Sequence, residues 1–248
     1  MIWAHLQTLF SFRAYHRLAL ATRGQCVGFA VYLLLLSLLV FYGFSGSYIR
    51  HNLPVFLKNF PQVTFEKGVL TAPKGPVYAP VPNSPFKMVF QANRPTPPSA
   101  AEMVQQNWLM FITGNTVYIP GATGLQSHPL PDSLSATTTP EFLTAHQPLL
   151  AGALTAAAFF ASLFLIPLTL LFNFCMAACV GFFFNVLSRR TVPRSIILRW
   201  ALFVLGPLSV LWYVRLWYPI PLFTLAQLIL CIIYMQQIFN LLPEENVC

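Results

Sequence analysis

Residues 148–187 run for 40 positions without one charged side chain. A spanning helix needs only about 20 largely apolar residues, because the hydrocarbon core of a bilayer is about 30 Å thick. Three further stretches satisfy that condition: 25–44, 196–216 and 219–242. The chain is 56% hydrophobic and 8% charged over its 248 residues, whereas soluble domains carry roughly 25% charged residues. That balance argues against a free soluble enzyme. It predicts an α-helical multi-pass membrane protein.

The first stretch reads as a retained anchor. Cleaved leaders have a core of about 7–15 apolar residues, and here 24 residues precede a longer run. The second stretch is too long for one simple crossing, since 40 helical residues would extend about 60 Å. One crossing followed by a kinked, interfacial or re-entrant piece is expected, with Pro167 and Asn173 as break points because proline removes a helix hydrogen bond. This gives four spans. A double crossing would give five and carry the loop 188–195 outward.

Basic residues in short loops set orientation. Arg13, Arg17 and Arg23 before the first span, and Arg189, Arg190 and Arg194 in the loop 188–195, are expected on the cytoplasmic side at lipid headgroups. Residues 45–147 then lie outside, and a net charge of +8 needs no nucleic acid to account for it. Residues 1–24 read as a cytoplasmic amphipathic helix lying in the interface, with Ile2, Leu6, Leu9 and Phe10 at helical spacing. The tail is 243–248.

The outer segment 45–147 predicts a small, mostly-β extracytoplasmic domain inserted after the first span. Val63, Phe65 and Val69 alternate with polar residues around Glu66-Lys67-Gly68, a hairpin pattern. Strands are also expected at 86–90, 108–113 and 116–119. The stretches 94–98 and 121–140 read as loops, the first because consecutive prolines cannot join a central strand. All five cysteines lie in or beside spans or at the C-terminus, so the domain is expected to hold by packing alone.

Catalytic chemistry is sparse. The six acidic residues all fall outside the spans, which argues against an ion-coupled transporter. His5, His16, His51, His128 and His146 show no metal-ligand spacing. Cys175 and Cys179 share a helix face, which suits helix packing better than a soft-metal site. No phosphate-binding, nucleophile-elbow or dinucleotide motif occurs. No catalytic residue, metal or cofactor is expected. Uncharged polar groups inside the spans are more informative. Asn173, Asn185, Gln227, Gln236 and Asn240 are costly against lipid and are expected to face protein, either within the chain or on a partner.

Several segments resemble one bacterial family. Leu9-Phe10-Ser11-Phe12-Arg13-Ala14-Tyr15-His16, then Arg23-Gly24 and the apolar run 32–39, resembles the start of proteins in domain-of-unknown-function family 1189. Phe60-Pro61-Gln62-Val63-Thr64-Phe65-Glu66-Lys67-Gly68-Val69-Leu70 is similar to its P-x-(V/I)-T-(I/F)-x-x-G hairpin, and Leu109-Met110-Phe111-Ile112-Thr113 to its later strand. Residues 199–207 are similar to its basic A-x-x-A-x-(T/G)-P span. Where the family carries an Ile-Asp-Thr-like turn, this chain has Gln91-Ala92-Asn93, so no role for that aspartate carries over. The resemblance implies a multi-pass bacterial inner-membrane protein with a periplasmic domain and no established activity.

These readings lead to a non-catalytic accessory or assembly subunit of an inner-membrane complex. Its expected partners are membrane lipids, other membrane proteins and a periplasmic protein or lipoprotein. The alternative is lipid handling or solute transport through the 148–187 region.

Overall fold

The computed structural model describes residues 2–94, 96–121, 124–188, 192–218 and 222–241. In chain order the elements are α1 (Ile2–Phe10), α2 (Ala14–Leu18), α3 (Arg23–Lys58), β1 (Val63–Glu66), β2 (Val69–Ala72), β3 (Val77–Pro80) and β4 (Lys87–Phe90). They continue with α4 (Ala100–Gln105), β5 (Trp108–Thr113), β6 (Thr116–Gly121), β7 (Gly124–Pro129), β8 (Ala136–Thr138), α5 (Pro140–Ala145), α6 (Gln147–Leu187), α7 (Arg194–Trp217) and α8 (Phe223–Asn240). Two compact units result: a helical one of Met1–Ser45 and Ala157–Cys248, and a mixed one of Gly46–Ala156. Four helices among the described residues, α3, α6, α7 and α8, are long and apolar enough to cross a membrane.

Within the helical unit, α7 forms the centre. Ile197, Trp200, Ala201, Val204 and Leu208 recur at helical spacing and are each no more than 1% exposed. Tyr15, Phe29, Leu33, Met235 and Ile238 pack around them from α2, α3 and α8. On α6, by contrast, the buried stripe is narrow and mostly small or polar: Ser162, Ile166, Asn173, Ala177, Ala178 and Gly181. Small residues let helix backbones approach closely. A Cβ on Gly181 would sit 2.8 Å from Ile197 Cγ2.

Several boundaries differ from the expectation. Instead of breaking at Pro167 or Asn173, α6 is one helix with Pro167 inside it. A proline removes one N–H of a ladder, and the long helix continues on both sides of that gap. No turn interrupts the helix between 148 and 187. The excess length is at its N-terminal end, where α6 contributes 147–156 to the mixed unit, just as α3 contributes 46–58. The anchor expected at 25–44 is therefore part of a longer helix. The third helix starts at Arg194, inside the expected loop 188–195, of which residues 189–191 lie outside the described residues. The expected fourth span, 219–242, narrows to Phe223–Asn240, and the tail 243–248 lies outside the described residues.

The mixed unit is layered. A three-stranded sheet, β2-β1-β8, faces a five-stranded sheet, β3-β4-β5-β6-β7. Alternation sends neighbouring side chains to opposite faces. Phe90 and Ile112 thus join Val63, Phe65 and Leu70 between the sheets. Their neighbours Val89 and Phe111 join Met103 of α4 on the far side. The β4–β5 pair is parallel and all other pairs are antiparallel, so the connection through α4 is a crossover. From α3, Phe56 packs against the inter-sheet core.

The hairpin expected at Glu66-Lys67-Gly68 is present as β1–β2. Lys67 and Gly68 both have positive φ, 48° and 75°, as a two-residue loop of primed type requires. A Cβ on Gly68 would lie 2.8 Å from the Pro131 carbonyl oxygen, because the 130–135 loop folds over the turn. The strands expected at 86–90, 108–113 and 116–119 are β4, β5 and β6. The stretch 121–140 is not the loop expected: it supplies β7 and β8, which pair with β6 and β1.

Candidate functional site

The best-built polar constellation lies where α1 and α2 meet α3, α7 and α8. His5 is buried on α1. Its Nε2 is 3.2 Å from the Gly206 carbonyl oxygen, which can only accept, so Nε2 carries the proton and donates. Nδ1, 3.2 Å from Tyr32 Oη, then accepts from that hydroxyl. Burial lowers the His5 pKa below its usual 6.5 and outweighs the opposing backbone contact, which keeps the ring in this neutral form.

Carbonyls at the ends of the short helices are satisfied by side chains from elsewhere in the unit. The last four carbonyls of any helix have no intrahelical donor. Tyr15 Oη donates to the Thr8 carbonyl at 3.2 Å and Tyr234 Oη to the Leu9 carbonyl at 2.9 Å. Trp200 Nε1 donates at 3.0 Å to the Tyr15 carbonyl, which also accepts from Ala19 N at 2.8 Å. Arg199 Nη1 donates to the Ala19 carbonyl. Gly206 permits the approach, since a Cβ there would lie 2.5 Å from Thr8 Oγ1 and 3.1 Å from His5 Cδ2.

This arrangement corrects the reading of residues 1–24 as a single helix. The segment is two short helices, and α1 packs with His5 and Thr8 inward. The apolar residues Ile2, Leu6 and Phe10 face outward, Phe10 at 84% exposure. The polar stripe is inside because it can be bonded there. Arg13, Arg17, Arg23 and Arg194 are exposed, and Arg189 and Arg190 lie outside the described residues.

The polar span residues take different positions. Asn185, near the end of α6, accepts from Val192 N at 3.0 Å and donates to its carbonyl at 3.4 Å. Asn173 is buried and lines a cavity of about 10 Å³ with Ser37, Thr169 and Ser209, room for one water at most. Gln227 is also buried. Of the two alternatives, contacts within the chain or on a partner, Gln236 and Asn240 do not take the first; they are exposed on α8. The buried stripe of α8 runs through Phe223, Gln227, Cys231, Tyr234, Met235 and Ile238, and 236 and 240 project from another face of the helix.

Elsewhere, Arg94 Nη2 donates to both carboxylate oxygens of Glu102, at 2.9 and 2.8 Å, with its guanidinium 5.0 Å from the Phe111 ring centre. The hydrogen bond from Arg94 is the main cause holding the Glu102 pKa below the usual carboxylate value. Cys175 and Cys179 are exposed on α6. Among the described residues no three His, Cys, Asp or Glu side chains are grouped to hold a metal ion. Comparison with protein-family models, curated proteins and solved structures finds no match to this chain.

Proposed function

We propose that this chain is an accessory or assembly subunit of a bacterial inner-membrane complex, without catalysis of its own. Its helical unit would sit in the bilayer with the arginine-bearing ends cytoplasmic, and residues 46–156 would be periplasmic. The resemblance to domain-of-unknown-function family 1189 belongs to the same proposal.

One observation carries it: Gln236, Gln237 and Asn240 are exposed in the last turns of α8. Amides facing acyl chains leave donors and acceptors unsatisfied. Against another helix they form interhelical hydrogen bonds of about 0.6–2 kcal/mol each. The exposed aromatic face of α6, with Phe160, Phe164 and Phe172, supplies further surface for a neighbouring span.

A photocrosslinking amino acid placed at 236 or 240, in cells, is the test. A discrete protein adduct, absent when the probe is at the buried position 231, is expected. Crosslinks to lipid alone at both exposed positions would remove the proposal.

A further inference from the structure

A cleft of about 360 Å³ opens in the helical unit between α1, α2, the start of α3 and α7. Its lining divides chemically. Trp3, Leu20 and Phe203 provide apolar surface, while Gln7, Arg17 and Gln25 provide donors. Gln25 is partly committed: its Oε1 accepts from Thr22 N at 2.9 Å, closing a reciprocal cap at the start of α3. Its side-chain NH2 is left to donate. Nothing among the described residues forms an ion pair with Arg17; the ion pair they contain is Arg94–Glu102, in the mixed unit.

A second observation concerns the unit as a whole. Its described residues include six arginines, Arg13, Arg17, Arg23, Arg194, Arg199 and Arg215, and no carboxylate. The described acidic residues, Glu66, Glu102, Asp132 and Glu141, all belong to the mixed unit. No carboxylate among the unit's described residues neutralises Arg17, and the cleft beside it is both amphipathic and of ligand size.

We infer that this cleft binds one anionic glycerophospholipid. Its phosphate sits on the Arg17 guanidinium, with Gln7 and Gln25 donating to the headgroup oxygens. The upper part of an acyl chain lies on Trp3, Leu20 and Phe203. Arginine presents paired donors in a planar fork suited to phosphate, and tryptophan is the side chain most at home between apolar and polar zones. A soluble phosphate compound would leave the apolar half of the cleft unused. The inference rests on the membrane reading above but not on the accessory role. Whether the chain is a membrane protein is read separately, from its retention in the pellet after carbonate washing.

The test uses the full chain, extracted in mild detergent, delipidated and titrated with phosphatidylglycerol under native mass spectrometry. One tightly retained lipid is expected, preferred over phosphatidylcholine. Arg17→Gln should weaken it about tenfold, the scale of one charge-assisted hydrogen bond, and Arg17→Lys should restore part of the loss. Arg215→Gln removes an equal charge from an exposed site outside the cleft and should leave binding unchanged. Equal losses in Arg17→Gln and Arg215→Gln would reduce the effect to general surface charge and overturn the site. Unchanged binding in Arg17→Gln, with its thermal transition intact, would overturn it as well. So would binding of sn-glycerol 3-phosphate as tight as that of the lipid.

Discussion

The helical and mixed units both have apolar cores but differ in what they leave exposed and what polar groups they enclose. In the mixed unit the aromatic residues Phe65, Phe90 and Phe111 are inside, and its carboxylates are at the surface or paired. The helical unit turns Phe160, Phe164, Phe172 and Phe10 outward and keeps His5, Thr8, Ser37 and Asn173 within. Water drives the first pattern through the removal of apolar area. The second suits a surrounding that offers hydrogen bonds to nothing, where each polar group needs a partner inside the protein. One chain thus carries two rules of burial, and the same residue type has a different consequence in each unit.

Substitutions can break or sharpen that contrast. The largest effect is expected from Phe111→Ala, which empties a position 1% exposed between Trp108 and the Arg94 guanidinium. A loss of about 3–5 kcal/mol should appear as faster amide exchange in β4, β5 and α4. Gly206→Ala should cost about 1–3 kcal/mol through overpacking, since the new methyl meets Thr8 Oγ1. Faster exchange across α1 and earlier proteolysis at Arg13 would report it. The contrast fails if these two substitutions give the same exchange pattern.

Smaller effects refine it. Tyr234→Phe leaves the Leu9 carbonyl without its side-chain donor, and a loss of about 1 kcal/mol in the thermal transition is expected. Glu102 is the weakest case. Its pKa is held below the usual value, so the pair's contribution is complete above the unfolded carboxylate pKa of 4.5. It disappears as pH falls through the lower folded value. For a partly exposed pair the change should stay below about 1 kcal/mol. Chemical denaturation at neutral and acid pH should show it in the parent chain and not in Glu102→Gln.

Much of this organisation is legible in the sequence, and the gaps have causes. The four long helices follow from unbroken apolar runs, and the β1–β2 turn follows from Lys67-Gly68. The strands that no pattern announces, β3, β7 and β8, are all sheet edges. Edge strands bury little, so no alternation betrays them; β7 is exposed at 126–129, and Pro80 is tolerated because β3 has only one neighbour. The start of α4 does carry a signal, Ser99 three residues before Glu102, and Ser99 Oγ indeed accepts from Glu102 N at 3.1 Å. In the candidate site, the helical spacing of α1 is readable but its inward face is not. His5 and Thr8 look like a water-facing stripe until Gly206 and Tyr32 are brought beside them.

The bond between His5 and Gly206 spans 201 positions of chain. Synthesis proceeds at about 5–20 residues per second, so α1 exists for about 10–40 s before its seat on α7 has been made. Throughout that interval His5 Nε2 is without its Gly206 acceptor, while Trp3 and Phe10 already present an apolar face. The docking of α1 therefore waits on an element made some two hundred residues later.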